Sequence, residues 1–380
     1  MTEMTMTALD AETLGMLTDS IDRYGREKYD FDSRKGWIAS VVGFGVDAWK
    51  DYAGMGWLAA PMSLDSGGLG SDPAAISALM RYAGTRLALE PIFANAVLCG
   101  PILAQSAQAN DGTALKWLEE MAAGRLLFAF AHAEDLATGM ESVVQTSSEG
   151  GTLTGRKVVV LHGDVADWLL VSAIESSTGA LSLYAVPTSH PRVKKMSYRL
   201  LDGRGAASFD FSAAQGTLVG PVGGAKPVID GTLDHARLAL CSEAHGAMRA
   251  LNEQTLAYLK DRRQFGRPIG NYQALQHRMV ELFMLEQETA AVIAAGQRAS
   301  RTGGLPFKKT VAGAVAHTIT AGRQISHEAV QMHGGIGTTD ELAVSHYFKR
   351  IMVLNRLIGD RDAHLDAFAK PVTEFAGSMS

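Results

Sequence analysis

A mainly α chain with a β domain set into its middle is the fold class that the 380-residue sequence predicts. Three observations carry it. Apolar residues recur at helical spacing from the start to about residue 120. From Leu126 the chain breaks into short β-type runs, and helical periodicity resumes near Leu233 and lasts almost to the end. At this length one core rarely suffices, so two or three domains are expected, and the changes of periodicity divide the chain at 1–121, 122–229 and 230–380.

Each region has its own signals. In the first, alanine, leucine and methionine keep helical spacing through PAAISALMRYAGTRLALEP, and Pro91 opens a second apolar stretch, PIFANAVLCGPILAQSAQ. A turn cluster from Pro61 to Pro73, with Gly67-Gly68 at its centre, separates helices there. In the second region LLFAFAH, GTLTGRKVVVLHGD, WLLVSAI, LSLYAVP and GAASFDF are punctuated by Gly, Ser and Pro, as in a compact antiparallel β domain. The third holds three long amphipathic segments with short connectors, which suggests a four-helix bundle.

Composition excludes several classes of function. A hydrophobic fraction of 47% rules out a largely disordered chain. Thirty-five Lys+Arg against 40 Asp+Glu leave a net charge of -5, which argues against nucleic-acid binding but not against a local cation serving a phosphorylated ligand. Cys99 and Cys241 are too few for a disulfide framework or a multi-cysteine zinc site, and no histidine cluster has zinc spacing, so no metal is expected. The opening MTEMTMTALDAETLGML carries acidic residues where a secretion signal carries basic ones. No uninterrupted apolar stretch approaches about 18 residues, so a cytoplasmic protein without a membrane span is expected. The 40 glycines are about a tenth of the chain, against a usual share of about 7%.

Two of the glycine-bearing segments could carry chemistry. In DRRQFGRPIGNYQALQH a long helix ends at Arg262 and Arg263, and Phe265-Gly266 and Pro268–Gly270 force a turn before the next helix. Cations suit a helix C-terminus, yet the same constellation could hold a pyrophosphate with Arg262 and a ring system with Phe265. In QMHGGIGTTDE, the Gly334-Gly335-x-Gly337 loop lets backbone approach a ligand closely, although a glycine-rich helix cap would look the same. It has neither the phosphate-loop lysine nor a strand-to-helix setting, so both nucleotide-loop readings fail.

Together these segments resemble the acyl-CoA dehydrogenase family, and the resemblance runs nearly the full length. MGWLAAPMSLDSGGLG is similar to the family's N-terminal helix connector, Arg262–Gly266 with Gln273 to its flavin-binding turn, and Gln331–Gly337 to its second flavin-contacting loop. The resemblance implies a three-domain architecture: N-terminal helical domain, middle β-barrel, C-terminal four-helix bundle. It also implies FAD and an acyl-CoA substrate, with a carboxylate taking the α proton while the β hydride passes to the flavin. An electron-transfer flavoprotein would then collect the electrons. On this basis Arg262, Phe265, Gln273, Gln331, Gly334 and Gly335 are candidate cofactor-binding residues, and Arg237, with Asp234 beside it, matches substrate-side positions.

Departures from the family pattern are selective. The usual base position beyond the glycine loop is Ile358, and the alternative position before the bundle arginine is Ala236. Neither accepts a proton. The family's flavin-facing stretch is FAFAHAEDLATG here, with Glu134 kept but Ala133 and Asp135 where threonine and proline belong, and its Trp-Ile-Thr is Val159-Val160-Leu161. This subtraction resembles the small subunits of heteromeric acyl-CoA dehydrogenases such as pimeloyl-CoA dehydrogenase, and implies a heterotetramer with a larger paralogous subunit. Three alternatives stand beside it: a self-sufficient dehydrogenase with Asp360 (or Asp362) as base, a flavin monooxygenase, and a purely structural subunit. Asp360 could equally be a cap or loop carboxylate. His132 and His162 read first as hydrogen-bonded packing residues, and His277 as a packing or ribose contact. The acyl group, whether dicarboxylic, steroid side chain or cyclic, stays open.

Overall fold

The computed structural model describes residues 9–64, 68–108, 112–135, 140 and 142–370. Gly67 and residues 136–139 of the flavin-facing stretch therefore lie outside the described residues. The order is helical, then β, then helical. The chain forms two compact units: residues 1–76 with 89–236, and residues 77–88 with 237–380.

In the first unit, helices α1 (Ala11–Glu27) and α2 (Phe31–Ala39) start where Asp10 and Asp30 accept the Thr13 and Ser33 N–H groups, each at 2.8 Å. Such caps satisfy donors that a helix leaves open. Helix α3 (Val46–Gly54) and a 3-10 turn at Trp57–Ala59 follow, with the Tyr52 and Trp57 rings stacked at 5.1 Å. After α4 (Pro73–Arg86), residues Ile92–Cys99 form a π-helix, wholly buried, that runs into α5 (Gly100–Gln108) and α6 (Gly112–Ala122). Asn95 of the π-helix accepts the Phe128 N–H at 2.8 Å and so ties it to the first strand.

Eight strands make one sheet: β1 (Phe128–Ala131), β2 (Ser147–Glu149), β3 (Thr152–Leu161), β4 (Trp168–Glu175), β5 (Leu181–Pro187), β6 (Val193–Arg199), β7 (Gly205–Gln215) and β8 (Thr217–Val219). Their order is β6-β7-β3-β2-β4-β5-β8, with β1 paired to β4. The expectation was an antiparallel domain; β1 and β2 instead pair with β4 in parallel. A short strand reached by a long connection has no hairpin to set its direction. Leu153, Val160, Leu169, Val171, Val186 and Phe209 contribute to a single apolar core. The β6 edge is mostly exposed and carries Lys194 and Lys195, which discourages further strand addition. The β3–β7 register shifts between Lys157 and Val160, where Val159 takes a φ of 48°. The bulge re-aims the strand at the place where the family resemblance expects ring contacts.

The second unit contains the rest of α4 and five helices: α7 (Ala225–Asp261, entering from the first unit), α8 (Gln273–Ser300), α9 (Gly304–His333), α10 (Ala343–Ile358) and α11 (Arg361–Ala369). Among the described residues, no helix is long and apolar enough to cross a membrane. Helices α4 and α7 meet backbone to backbone. A Cβ at Gly84 would lie 1.8 Å from the Glu243 carbonyl oxygen, and one at Gly246 would lie 2.0 Å from that of Arg81. Gly246→Ala should therefore cost about 1–3 kcal/mol despite alanine's better helix propensity. Gly231→Ala, exposed on the same helix with open space around it, should gain up to about 1 kcal/mol. Chemical denaturation of the two variants checks the pair; equal effects would refute the close-packing account.

Candidate functional site

Helix direction gathers the candidate cofactor residues at one end of the bundle. Helices α7 and α9 finish there and α8 begins there. Arg262 follows the last turn of α7, its N–H bonded to the Tyr258 carbonyl at 2.8 Å. A two-stranded hairpin then pairs Arg263–Gln264 (β9) with Arg267–Pro268 (β10). Both residues of its turn have positive φ, 51° at Phe265 and 79° at Gly266, which is the type I′ geometry. Glycine adopts this at no cost, whereas phenylalanine pays about 1–2 kcal/mol. The result is a phenyl ring 90% exposed on a rigid turn. Arg267 lies over the Tyr272 ring at 4.2 Å, and Gly270 passes so close to α7 that a Cβ would sit 2.9 Å from the Leu259 carbonyl.

Tyr258 also anchors the glycine loop. Its hydroxyl donates to the His333 carbonyl at 3.3 Å, and its ring stacks on the His333 imidazole at 4.3 Å. His333 Nδ1 bonds back to the Ala329 carbonyl at 2.8 Å, and burial lowers its pKa, so the ring is held neutral. Gly334 then leaves the helix at a φ of 65° into a short 3-10 turn, Gly334–Thr338. Gly337 is needed for packing, because a Cβ there would meet His333 at 2.8 Å; Gly334 and Gly335 have open space instead. Gln331, Gly334, Gly335, Gln273 and Arg262 are all exposed, and the three side chains make no hydrogen bond or ion pair among the described residues. A guanidinium, two amides, an open glycine backbone and an aromatic ring are thus presented together. That donor set suits a pyrophosphate joined to a ring system. Tyr258 was missed from sequence, since its link to His333 spans 75 positions.

The two positions where the resemblance expects a base are apolar and closed. Ile358 and Ala236 are both fully buried. Asp360 is the N-cap of α11, accepting the Ala363 N–H at 2.9 Å, and Asp362 pairs with Arg361. Arg237 and Asp234 are half-buried on α7, and Arg237 bears on the buried Cys241 thiol one turn along. His277 is exposed on α8. No group of three potential metal ligands exists among the described residues.

In the β domain, Glu134 has a structural partner. Its Oε1 accepts from Lys157 Nζ at 2.7 Å, and its two oxygens take the Gln145 and Thr146 N–H groups at 2.8 and 2.9 Å. Lys157 is fully buried, and desolvation draws its pKa down to about 8 although Glu134 opposes this. Its inward place was readable, since Leu153, Gly155 and Lys157 alternate along β3. His162 bonds the Leu89 carbonyl through Nε2 at 2.9 Å, a packing role. His132 bonds Ser172 through Nδ1 at 2.9 Å.

Comparison with known proteins agrees with this architecture. Residues 225–373 match the family described as acyl-CoA dehydrogenase, C-terminal domain. The acyl-CoA dehydrogenase IpdE2 of Mycolicibacterium smegmatis is 30% identical over 228 residues, 59% of this chain and 65% of that protein, so a little under two thirds of that relative is covered. The acyl-CoA dehydrogenase FadE27 of Mycobacterium tuberculosis is 27% identical over 345 residues, 87% of this chain and 89% of that protein. A solved chain of the ChsE4-ChsE5 complex from Mycobacterium tuberculosis superposes with a TM-score of 0.84 at 22% identity, covering 99% of this chain and 100% of that one, which establishes a shared fold. The bundle at residues 225–373 thus matches the acyl-CoA dehydrogenase C-terminal domain, and the chain as a whole shares its fold with the solved chain of the ChsE4-ChsE5 complex.

Proposed function

We propose that the chain is one subunit of a heteromeric FAD-dependent acyl-CoA dehydrogenase, without a catalytic base of its own, that completes the flavin site of a larger paralogous partner. The carrying observation is the pair of closed base positions: Ile358 and Ala236 are buried apolar residues, while the nearby Asp360 carboxylate is committed to capping α11. Neither Ile358 nor Ala236 can take a proton from an acyl-CoA, so in this reading the base comes from another chain. A flavin held there would supply the hydride acceptor, and an electron-transfer flavoprotein would collect the electrons. This chain's part is to grip: Arg262 and the Gly334–Gly335 backbone toward the pyrophosphate, Gln273 and Gln331 toward polar groups, Phe265 against a ring. The ChsE4-ChsE5 complex, one chain of which shares this fold, offers a precedent for such a chain assembled in a complex.

A partner surface is available. Val280, Phe283 and Met284, each more than half exposed, line one stripe of α8 that begins at Gln273, and the exposed Phe265 stands before it. Apolar side chains at this spacing on a free helix face suit a permanent subunit contact. The purified chain alone should bind FAD poorly and not turn over acyl-CoA, and co-expression with a larger paralogue should restore both. Arg262→Ala in the complex should weaken flavin retention about 10–100-fold, the worth of a charge-assisted contact. Flavin-band absorbance after gel filtration reads both results. A homogeneous chain carrying one FAD and oxidising acyl-CoA by itself would overturn the proposal. Unchanged retention in Arg262→Ala would point to a purely structural subunit.

A further inference from the structure

We infer that His132 is a cofactor-binding residue, locked by Lys157 and Ser172 as its Nε2–H tautomer and presenting that N–H to a carbonyl oxygen of the flavin ring; this rests on the FAD reading above. The lock follows from proton counting. Lys157 Nζ carries three N–H groups and has three acceptors: Glu134 Oε1 at 2.7 Å, Ser172 Oγ at 3.0 Å and the His132 carbonyl at 3.1 Å. All three protons are used, so Ser172 Oγ accepts from the lysine and its single proton must go elsewhere. Among the described residues, the one further partner of that hydroxyl is His132 Nδ1, 2.9 Å away. Nδ1 is therefore an acceptor, and a neutral ring carries its proton on Nε2.

The neutral state is secured by the surroundings. Burial and the Lys157 charge pull the imidazole pKa down to about 4, while Glu134 and Asp230 act weakly the other way. The ring is also fixed in direction. It lies parallel to Phe130, 4° apart with centroids 5.3 Å apart, and only 7% of the residue is exposed. Swinging Nε2 elsewhere would break both the stacking and the Ser172 bond.

Among the described residues nothing receives the Nε2 proton, because the His132 ring makes no hydrogen bond other than that at Nδ1. His162 differs, with its Nε2 bonded to Leu89. Nε2 is not among the buried polar atoms that lack a partner, so this donor is open to water and to a ligand. A lysine, a serine and a carboxylate are thus arranged to hold an outlying donor in one state, which a packing histidine does not require. The neighbouring positions Ala133 and Val159–Leu161 have no hydroxyl or indole to offer a ring. His132 supplies in this chain the polar contact that those side chains cannot.

An N–H directed at a ring carbonyl bonds more strongly to the reduced ring, whose oxygens gain negative charge. His132→Phe should therefore lower the preference for reduced flavin on the order of tenfold, which is about 30 mV for a two-electron couple. The experiment uses the co-expressed complex with this chain labelled at histidine nitrogen, studied by solid-state nitrogen NMR. His132→Phe identifies the signals by difference. Expected are a pyridine-type Nδ1 and a protonated Nε2, loss of that single tautomer in Ser172→Ala, a shift of Nε2 when FAD is added, and the lower potential in His132→Phe. A protonated Nδ1 overturns the inference. So does an Nε2 signal indifferent to FAD together with an unchanged potential, which is the result for a donor bonded only to water. A complex that takes up no FAD at all instead sinks the FAD reading itself, and absorbance separates that case.

Discussion

Arg350→Met is expected to destabilise the protein by about 3–5 kcal/mol, the largest loss foreseen for any single side chain here. Arg350 and Glu243 are both buried in the second unit, 0% and 1% exposed, and meet at 2.6 Å. The guanidinium also donates to the Ala88 carbonyl at 2.8 Å and the Leu87 carbonyl at 3.3 Å. Leu87 has a φ of 54°, so the chain leaves α4 in a left-handed turn that aims both carbonyls inward. One arginine therefore joins α10, α7 and the end of α4. Methionine would fill most of the volume while leaving the Glu243 carboxylate buried without that cation. Adding Glu243→Leu should recover much of the loss, because an apolar pair of similar size escapes the desolvation penalty, though the Leu87 and Ala88 carbonyls still lose their donor. Urea unfolding of the two single variants and the double variant tests this. A single-variant cost under about 1 kcal/mol would show that the pair contributes little.

Arg350 also marks where sequence reading stops. On α10 the buried positions Val344, Tyr347, Ile351, Leu354 and Ile358 carry a plain helical stripe, and Arg350 lies within it. The stripe predicts the helix. It does not predict that an arginine is buried there, because the compensating carboxylate is 107 positions away. The helix–β–helix order was legible for the same reason: periodicity is local. The Phe265-Gly266 turn was legible too, from its residues. What was not legible depends on distant partners or on backbone direction. Glu134 looked like a leftover of a flavin face until Lys157 was found against it. Asp360 could be a base or a cap on composition alone, and that it caps α11 through the Ala363 N–H shows only in the backbone of the helix start. The parallel pairing of β1 and β2 with β4 has no local signature.

Glu90→Gln should change how stability depends on pH. Glu90 is fully buried in the first unit with no cation paired to it among the described residues, accepting from the Tyr29 hydroxyl at 3.0 Å, the Gly45 N–H at 3.0 Å and the Leu89 N–H at 3.1 Å. Desolvation outweighs these donors and raises its pKa from 4.5 to about 7. Between those values the folded state holds a proton that the unfolded chain has released. The carboxyl's contribution is therefore fully present below about pH 4.5 and lost as pH rises through 7, a change on the order of 3 kcal/mol. His132 and His235 oppose it: burial lowers both to about 4, so their unfolded forms bind more protons across pH 4–6.5 and stability rises with pH. The wild-type curve mixes these signs, so the informative quantity is its difference from Glu90→Gln. Both histidines cancel in that difference. Wild type should be the more stable protein near pH 5 and lose that advantage, or fall behind, by pH 8. Urea midpoints at the two pH values measure it, and parallel curves would mean that Glu90 stays ionised in the folded chain. The consequence reaches past one helix, because the Leu89 carbonyl beside Glu90 holds His162 of the β domain. The Leu89–Glu90 turn thus joins the helical segment to the sheet, and the Glu90 titration is felt at that junction.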